Sequence, residues 1–304
     1  MIHVPPYLRK GDTVGLICPA GFMPSERTET IQQVLKSWGY TVKIGNTIGH
    51  QHHYFSGTDA ERLADVQTML DDHHVKAIIC ARGGYGTSRI IDSIDWKRFR
   101  KNPKWIAGYS DITVLNCHLY QRLHTASLHA PMAGAFANAN GVDDFNISLK
   151  NALLGKKLSY TSLSHPYNQY GKVSGKLIGG NLSLLAHLVG SVSFPDTKDA
   201  ILFIEDIGEY LYNIDRMLLQ LKRAGKFKGL AGILVGGFTE TKDTTIPFGK
   251  NISEIIHEKI SGYDIPVAWN FPVSHGKENV ALRFGMVHTL HVNKNGATLT
   301  CPPL

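Results

Sequence analysis

The chain has 304 residues, which is more than one domain usually holds, so its length favours two domains with two hydrophobic cores. Hydrophobic residues make up 43% and charged residues 19%, as in globular proteins, and no apolar run is long enough to cross a bilayer. The formal net charge is +7, but the lysines and arginines are dispersed, which predicts solvated faces and no nucleic-acid partner.

The first 150 residues alternate predicted strands and helices. The strands are predicted in DTVGLICPAG, TVKIG, VKAIICARGGYG and KWIAGYSD, and the helices in SERTETIQQVLKSWGY, TDAERLADVQTMLDD and ITVLNCHLYQRL. The second helix should begin near Thr58 or Asp59, both good capping residues, and the first should end at Gly39. Such alternation predicts an N-terminal α/β domain over residues 1–150, with a parallel sheet of the Rossmann or flavodoxin type.

The remaining chain is predicted to hold a linker and a second, smaller domain. Residues 151–172 are rich in Ser, Tyr, Gly and Lys and predict a linker with short antiparallel strands. Residues 173–304 contain further strand and helix patterns, including the buried strand DAILFIED and a hairpin around Asn295-Gly296. We expect a C-terminal α/β domain with a mixed sheet. The opening MIHVPPYLRKGD lacks the pattern of a signal peptide, and this predicts a cytoplasmic protein with no membrane partner.

The segment AGYSD, Ala107 to Asp111, places a serine where a buried strand ends. Ser110 suits the cap of the next helix, because its hydroxyl can accept a bond from a free amide of the first turn. It equally suits a nucleophile. Both roles need the same strand-to-helix turn, so these five residues leave both open.

A serine nucleophile needs a base, and the base needs a group that orients it. Sites in parallel sheets lie beyond the carboxyl ends of strands, where FPVSHGKEN offers His275 and FIEDIGE offers Glu205. Glu205 also suits a helix cap or a salt bridge, and His275 is one of 15 histidines that could simply be packed. Glu209, four residues after Glu205, competes for the acidic role.

An oxyanion formed at Ser110 would need amide donors. The amide of Asp111 and one glycine of ARGGYG are the candidates, and we take Gly84 as that glycine. The absence of side chains at Gly83 and Gly84 would let a substrate approach, with Tyr85 beside them. The same glycines would equally serve a turn that needs positive φ.

Other chemistries fit the chain less well. Ile112 stands where the GxSxG elbow of the α/β-hydrolases has its second glycine, and GGYGTS lacks the GxGxxG spacing of a nicotinamide site. The scattered cysteines predict reduced, packed thiols. The histidine clusters lack the spacing of a zinc site, so we expect no metal and no cofactor. The cysteines are Cys18, Cys80, Cys117 and Cys301. The clustered histidines are His50, His52, His53, His73 and His74.

Several segments in this order resemble the LD-carboxypeptidase family, the serine peptidases that include muropeptide carboxypeptidases and microcin C self-immunity proteins. The resemblance spans nearly the whole chain. It rests on PPYLRKGDTVGLICPAG, FSGTDAERLADVQ, ARGGYGTSRIIDSID, AGYSDITVL, SLHAPM, IGGNLSLL, FIEDIGEYLYNIDRML and a late histidine followed by GKEN.

The resemblance implies that Ser110 is the nucleophile, Glu205 the acidic member and His275 the general base, with the amides of Gly84 and Asp111 holding the oxyanion. It also implies a groove between two α/β domains as the site, and a homodimer. The segment EDIGEYLYNIDRML is more similar to the muropeptide branch, which implies removal of the terminal D-alanine of a murein tetrapeptide during peptidoglycan recycling. The alternatives are hydrolysis of a peptidyl-nucleotide antibiotic and a catalytically silent binding protein.

Two residues depart from the family's pattern. Ser274 stands where many members have glycine, and Arg283 where many have proline. Ser274 could alter the backbone beside His275, and Arg283 could serve substrate binding or a surface salt bridge. With Gly83, Tyr85 and Glu209, Arg283 completes the predicted substrate-binding residues.

Overall fold

The polypeptide forms two units, each built on its own sheet. The structure, a computed structural model, describes residues 2–136 and 143–303. The first unit comprises the chain up to Lys156 together with a returning segment, Val280–Arg283. The second comprises Lys157–Asn279 and Phe284–Pro303. The boundaries predicted from composition, at residues 150 and 172, stay predictions.

The first unit holds a six-stranded sheet. Its strands are β1 (Thr13–Ile17), β2 (Thr41–Ile44), β3 (Val75–Cys80), β4 (Trp105–Ala107), β5 (Ser127–His129) and, from further along the chain, β11 (Leu282–Phe284). Its α-helices are α1 (Glu29–Ser37), α2 (Asp59–Asp71), α3 (Thr87–Ile90), α4 (Lys97–Lys101), α5 (Thr113–Leu123) and α6 (Asp144–Leu153). The spatial order is β11-β5-β4-β3-β1-β2, and β1 to β5 are parallel. The parallel α/β class expected from the sequence is confirmed.

Local sequence explains where these elements begin and end. Thr58 caps α2 with a capping box, because its side chain accepts from the amide of Glu61 while the Glu61 carboxylate accepts from the amide of Thr58. After α1 the chain passes through Gly39 at φ +92°, a conformation that favours glycine. The apolar runs of β3 and β4 are almost wholly buried, as expected for central strands of a parallel sheet.

The second unit holds a seven-stranded mixed sheet. Its strands are β6 (Leu158–Leu163), β7 (Gly171–Asn181), β8 (Ala200–Ile207), β9 (Gly232–Thr239), β10 (Val267–Ala268), β12 (Val287–Asn293) and β13 (Gly296–Cys301). Its helices are α7 (Leu182–Leu188), α8 (Leu211–Arg223) and α9 (Ile252–Ile260). In the order β10-β9-β8-β7-β12-β13-β6, the first four strands are parallel and the last three joins are antiparallel. The expected mixed sheet is confirmed.

The C-terminal hairpin differs in detail from its prediction. Asn293 pairs with Gly296, so Lys294 and Asn295 form the turn and Gly296 already belongs to β13. A Cβ at Gly296 would lie 2.1 Å from the carbonyl oxygen of Ser162 in β6. This glycine therefore serves the close approach of a neighbouring strand as well as the turn.

The structure also bears on two expectations drawn from composition, reduced cysteines and the lack of a membrane-spanning segment. All four cysteines are buried and reduced, as predicted, and burial raises the pKa of the Cys18 thiol. Within residues 2–136 and 143–303, none of the helices combines the length and the apolar character needed to span a membrane.

Candidate active site

Ser110 lies on a strained turn at the carboxyl end of β4. It opens a short 3-10 turn, Ser110–Ile112, that leads directly into α5. Its φ is +62°, a left-handed conformation that costs a residue with a Cβ about 1–2 kcal/mol. The turn also needs Gly108, where a Cβ would lie 2.9 Å from the Ile112 side chain. Backbone strain of this kind is typical of functional turns.

The capping role that the sequence left open for Ser110 is not seen. The residue at the cap position is Tyr109, and no side chain caps this turn. Ser110 is partly exposed, and in the described part of its own unit no group hydrogen-bonds to its hydroxyl. The structure therefore removes the capping alternative, and the assignment of Ser110 as nucleophile stays a prediction.

The loop after β3 packs against the serine turn. A Cβ at Gly83 would lie 2.9 Å from Ser110 Cβ, 3.1 Å from Ser110 Oγ and 3.2 Å from the amide nitrogen of Asp111. Gly83 therefore serves close approach, whereas Gly84 and Gly86 adopt φ of +96° and +145° and serve the turn. The hydroxyl of Tyr54 fills the space where Gly84 would carry a side chain.

The side chain of Asp111 ties this glycine loop to the serine turn. Asp111 is fully buried, and its Oδ2 accepts a hydrogen bond of 2.8 Å from the amide of Thr87, the first residue of α3. Burial raises the pKa of this carboxyl group. Tyr85, by contrast, is about half exposed and lies near the Phe55 ring. The structure thus brings the predicted residues Gly83, Gly84 and Asp111 into one cluster with Ser110.

Glu205 and His275 form a hydrogen-bonded pair in the second unit. Glu205 lies in β8 with none of its surface exposed, and its Oε2 is 2.6 Å from His275 Nδ1. The pairing register of β8 against β9 shifts between Ile204 and Asp206. An irregularity of this kind redirects a side chain out of the regular alternation, and here it falls on Glu205.

A pair of glycines in β9 makes room for the loop that carries His275. A Cβ at Gly236 would lie 2.2 Å from the carbonyl oxygen of Val273, and one at Gly237 would lie 2.6 Å from Ser274 Cβ. The Gly237 amide also donates to the Val273 carbonyl at 2.9 Å. Neither glycine was among the residues predicted from the sequence. The signal was VGGF, two glycines late in a buried strand, which is typical of a close backbone approach.

Ser274, one of the two departures, holds the turn around His275. Its hydroxyl accepts from the Gly276 amide at 3.0 Å and donates to the Glu278 carbonyl at 2.9 Å. The side chain is almost fully buried. A glycine could not make these bonds, so the serine stabilises the turn by its own hydroxyl.

Asp206, the acid next to Glu205 in the chain, has a structural role at the start of α7. Asp206 accepts hydrogen bonds from the Asn181 side chain at 2.8 Å and from the Ser183 amide at 2.9 Å, so it fixes the start of α7. Burial raises the pKa of Asp206 to about 6, and the neighbouring Glu205 charge acts in the same direction. Of the two adjacent acids, Glu205 is therefore the one that contacts His275.

The carboxylate of Glu209 bonds to a residue of α8. Its Oε2 accepts from Asn213 Nδ2 at 3.0 Å, within the first turn of α8. Of the two acids that competed for the histidine, Glu205 is the one observed within hydrogen-bond distance of His275, and Glu209 bonds to Asn213.

Arg283 is a buried residue of the first unit. Its Nη2 donates to the carbonyls of Ala152 at 3.1 Å and Lys156 at 2.8 Å, and its guanidinium lies over the Tyr7 ring. It thereby ties β11 to the last turn of α6 and to the segment that follows this helix. The surface salt bridge considered for Arg283 is excluded because the residue is fully buried. Its role in substrate binding stays a prediction that no observed contact favours.

One histidine cluster has metal-like spacing. In the described ranges, Asp72, His73 and His74 are the only group of three or more such residues with ligand atoms within 4.8 Å of one another. Asp72 Oδ2 is already 2.7 Å from Lys43 Nζ, and its Oδ1 accepts from the His74 amide. A cation there would have to displace the Lys43 ammonium, so the expectation of no metal stays in place as a prediction.

Comparison with known proteins places both units in one family. The N-terminal and C-terminal domain models of LD-carboxypeptidase match residues 14–130 and 174–290. The chain is 36% identical over 303 residues to the "Probable murein peptide carboxypeptidase" of Bacillus subtilis strain 168, covering 98% of this chain and 94% of that protein.

Solved structures agree with this match. The crystal structure of muramoyltetrapeptide carboxypeptidase from Oxalobacter formigenes has a TM-score of 0.87 and 30% identity, covering 96% of this chain and all of that one. The microcin C7 self-immunity protein MccF, in complex with aspartyl sulfamoyl adenosine, has a TM-score of 0.84 and 24% identity, covering 99% and 98% of the two chains, and shares the fold. The chain belongs to the LD-carboxypeptidase family, which confirms the expected two-domain α/β class and the expected serine carboxypeptidase enzyme.

Proposed function

We propose that this protein is a cytoplasmic, homodimeric carboxypeptidase that removes the terminal D-alanine of murein tetrapeptides in peptidoglycan recycling. The observation that carries the proposal is the buried Glu205–His275 hydrogen bond of 2.6 Å, an arrangement suited to orienting a general base. The substrate class is supported by the names of the Bacillus and Oxalobacter relatives, a probable murein peptide carboxypeptidase and a muramoyltetrapeptide carboxypeptidase.

In the proposed reaction, Ser110 Oγ attacks the carbonyl carbon that precedes D-alanine. His275 takes the serine proton. Because Nδ1 is held by Glu205, Nε2 is the nitrogen for this transfer, and the buried carboxylate stabilises the imidazolium that forms. The amides of Gly84 and Asp111 would bind the oxyanion of the tetrahedral intermediate.

Collapse of that intermediate breaks the amide bond. His275 gives its proton to the departing amine of D-alanine and leaves an acyl ester on Ser110. A water molecule, deprotonated by the same imidazole, then hydrolyses the ester and restores the serine. Every proton in this sequence moves through side chains of the protein.

A mass-spectrometric assay tests the substrate directly. The protein is incubated with tetrapeptides that carry diaminopimelate or lysine before D-alanine, and separately with an aspartyl sulfamoyl adenylate, with Ser110→Ala as the control. Loss of one alanine from a tetrapeptide, absent in the control, supports the proposal. Cleavage of the adenylate alone would overturn it in favour of the antibiotic-hydrolase alternative.

The binding-protein alternative has its own test. A fluorophosphonate probe should label Ser110 in the native protein and fail to label Ser110→Ala. Native protein that stays unlabelled and cleaves none of the three compounds would be a catalytically silent binding protein.

A further inference from the structure

Three arginines lie around the glycine loop beside Ser110, and two of them bind the same acid. Arg62 is fully buried, donates to the carbonyls of Pro19 and Gly86, and forms an ion pair with Asp59. Arg89 binds the same carboxylate through Nε and Nη2, at 2.6–3.0 Å. Asp59 therefore occupies both guanidinium groups.

Arg82, the third arginine, is anchored by a backbone carbonyl. Its Nη1 donates to the carbonyl of Phe22 at 2.6 Å, which fixes the direction of the side chain. Within the described residues of its unit, no carboxylate lies at ion-pairing distance from Arg82, and the residue is exposed. A guanidinium has five N–H donors, so most of those of Arg82 are open to a ligand.

The backbone contacts place Arg82 beside the serine turn. The Gly21 amide donates to the carbonyl of Gly83 at 3.0 Å, and a Cβ at Gly21 would lie 3.6 Å from Arg82 Nε. Gly83 in turn meets Ser110, at the 2.9 Å given above. The anchored guanidinium and the serine thus flank the same glycine.

The proposed substrate carries an anion one residue beyond its scissile bond. In a peptide cut before its last residue, the terminal carboxylate belongs to the residue directly after the scissile bond, and successive Cα atoms are about 3.8 Å apart. A guanidinium binds a carboxylate through two parallel hydrogen bonds, which fixes both position and orientation. An amide or ester terminus offers neither the charge nor two equivalent acceptors.

We infer that Arg82 binds the terminal carboxylate of the peptide and so restricts the enzyme to the last residue of its substrate. This inference rests on the proposed function, because it takes the scissile bond to be the one attacked by Ser110. A purely structural role, holding the 19–24 loop through the Phe22 carbonyl, would instead affect all substrates equally.

The test compares a tetrapeptide ending in a free D-alanine with the same peptide ending in D-alanine amide. Values of kcat/KM are measured for both with the native protein, Arg82→Ala and Arg82→Lys. Arg98→Ala is the matched control, since Arg98 is an exposed arginine of the same unit that pairs with Asp71. Binding of both peptides is measured separately in the Ser110→Ala background, so that recognition is read without turnover.

The native protein should prefer the free acid. Arg82→Ala should lose about 10- to 100-fold in kcat/KM for the acid, chiefly through KM, and little for the amide, as expected for a hydrogen-bonded charged group. Arg82→Lys, which keeps the charge and the alkyl stem, should fall between, and Arg98→Ala should match the native protein. The same order should appear in the binding constants.

Equal losses on acid and amide, or an unchanged preference in Arg82→Ala, would overturn the inference while leaving the proposed function standing. Turnover of tetrapeptides without any preference for the free acid would do the same. If neither peptide is cut or bound, the proposed function fails and this inference fails with it.

Discussion

The smallest change that should disable the site is Gly83→Ala. The added Cβ would lie 2.9 Å from Ser110 Cβ, whereas non-bonded carbon atoms prefer about 3.5–4.0 Å. The serine turn or the loop must therefore move by roughly 0.6–1 Å. Since Ser110 already holds a strained φ of +62°, its turn has little freedom to accommodate this. A misplacement of that size is expected to lower kcat about 100-fold.

The cost in stability should be modest by comparison. Gly83 does not lie at positive φ, so alanine is permitted by the backbone, and overpacking costs about 1–3 kcal/mol. For a chain of this size that is a fall in Tm of up to about 5 °C. The assay measures kcat for D-alanine release well below the Tm of each variant, with Tm taken from thermal unfolding.

Gly134→Ala is the matched control. Gly134 belongs to the same unit, and a Cβ there would meet no atom within 4 Å. Both its kcat and its Tm should stay at the native values. A Gly83→Ala protein with native kcat would show that the glycine loop does not adjoin the reacting atoms, and the assignment of the Gly84 and Asp111 amides to the oxyanion would fail with it.

Three further predictions follow from the same geometry. Ser110→Ala and Ser110→Gly should both abolish turnover. Only glycine adopts the left-handed φ without strain, so Ser110→Gly should be more stable to unfolding than Ser110→Ala by about 1 kcal/mol. Equal Tm values for the two variants would contradict the strain at this residue. Glu205→Gln should lower kcat by about 10⁴-fold, whereas Glu209→Gln should cost less and act partly on KM; a larger kcat loss in Glu209→Gln would reverse the assignment. Activity should survive exhaustive chelation and the double change His73→Ala with His74→Ala, because the nucleophile is a side chain; a loss restored by added zinc would contradict this.

Local patterns predicted those features that depend on local sequence. Strand and helix periodicity predicted the parallel and mixed sheets, and the capping residues Thr58 and Asp59 predicted where α2 begins, with Thr58 proving to be the cap. The position of Glu205 after a buried apolar run predicted a carboxylate late in a central strand, where the structure has it. In these cases the residues that decide the structure are neighbours in the chain.

Features that depend on distant residues were not predicted. Gly236 is required by the carbonyl of Val273, a partner 37 positions away that strand periodicity does not reveal. Arg283 donates to the carbonyls of Ala152 and Lys156, about 130 positions earlier in the chain, and its own sequence neighbourhood did not indicate these partners. The register shift at Glu205 likewise depends on pairing with β9. Tertiary pairing decided each of these, and no local pattern encodes it.

The return of the chain to its first sheet constrains how the protein can be synthesised and divided. β11 lies beside β5 at the edge of that sheet, the Ala281 amide bonds to Ser148 Oγ, and Arg283 closes the end of α6. A ribosome that has reached Lys156 has therefore made every strand of this sheet but one. A fragment truncated there would leave β5 as an open edge, a site prone to intermolecular pairing. We expect the Ser110-bearing unit to reach its final form only after Arg283 has emerged, so the two units mature together and the gene cannot be split cleanly between them.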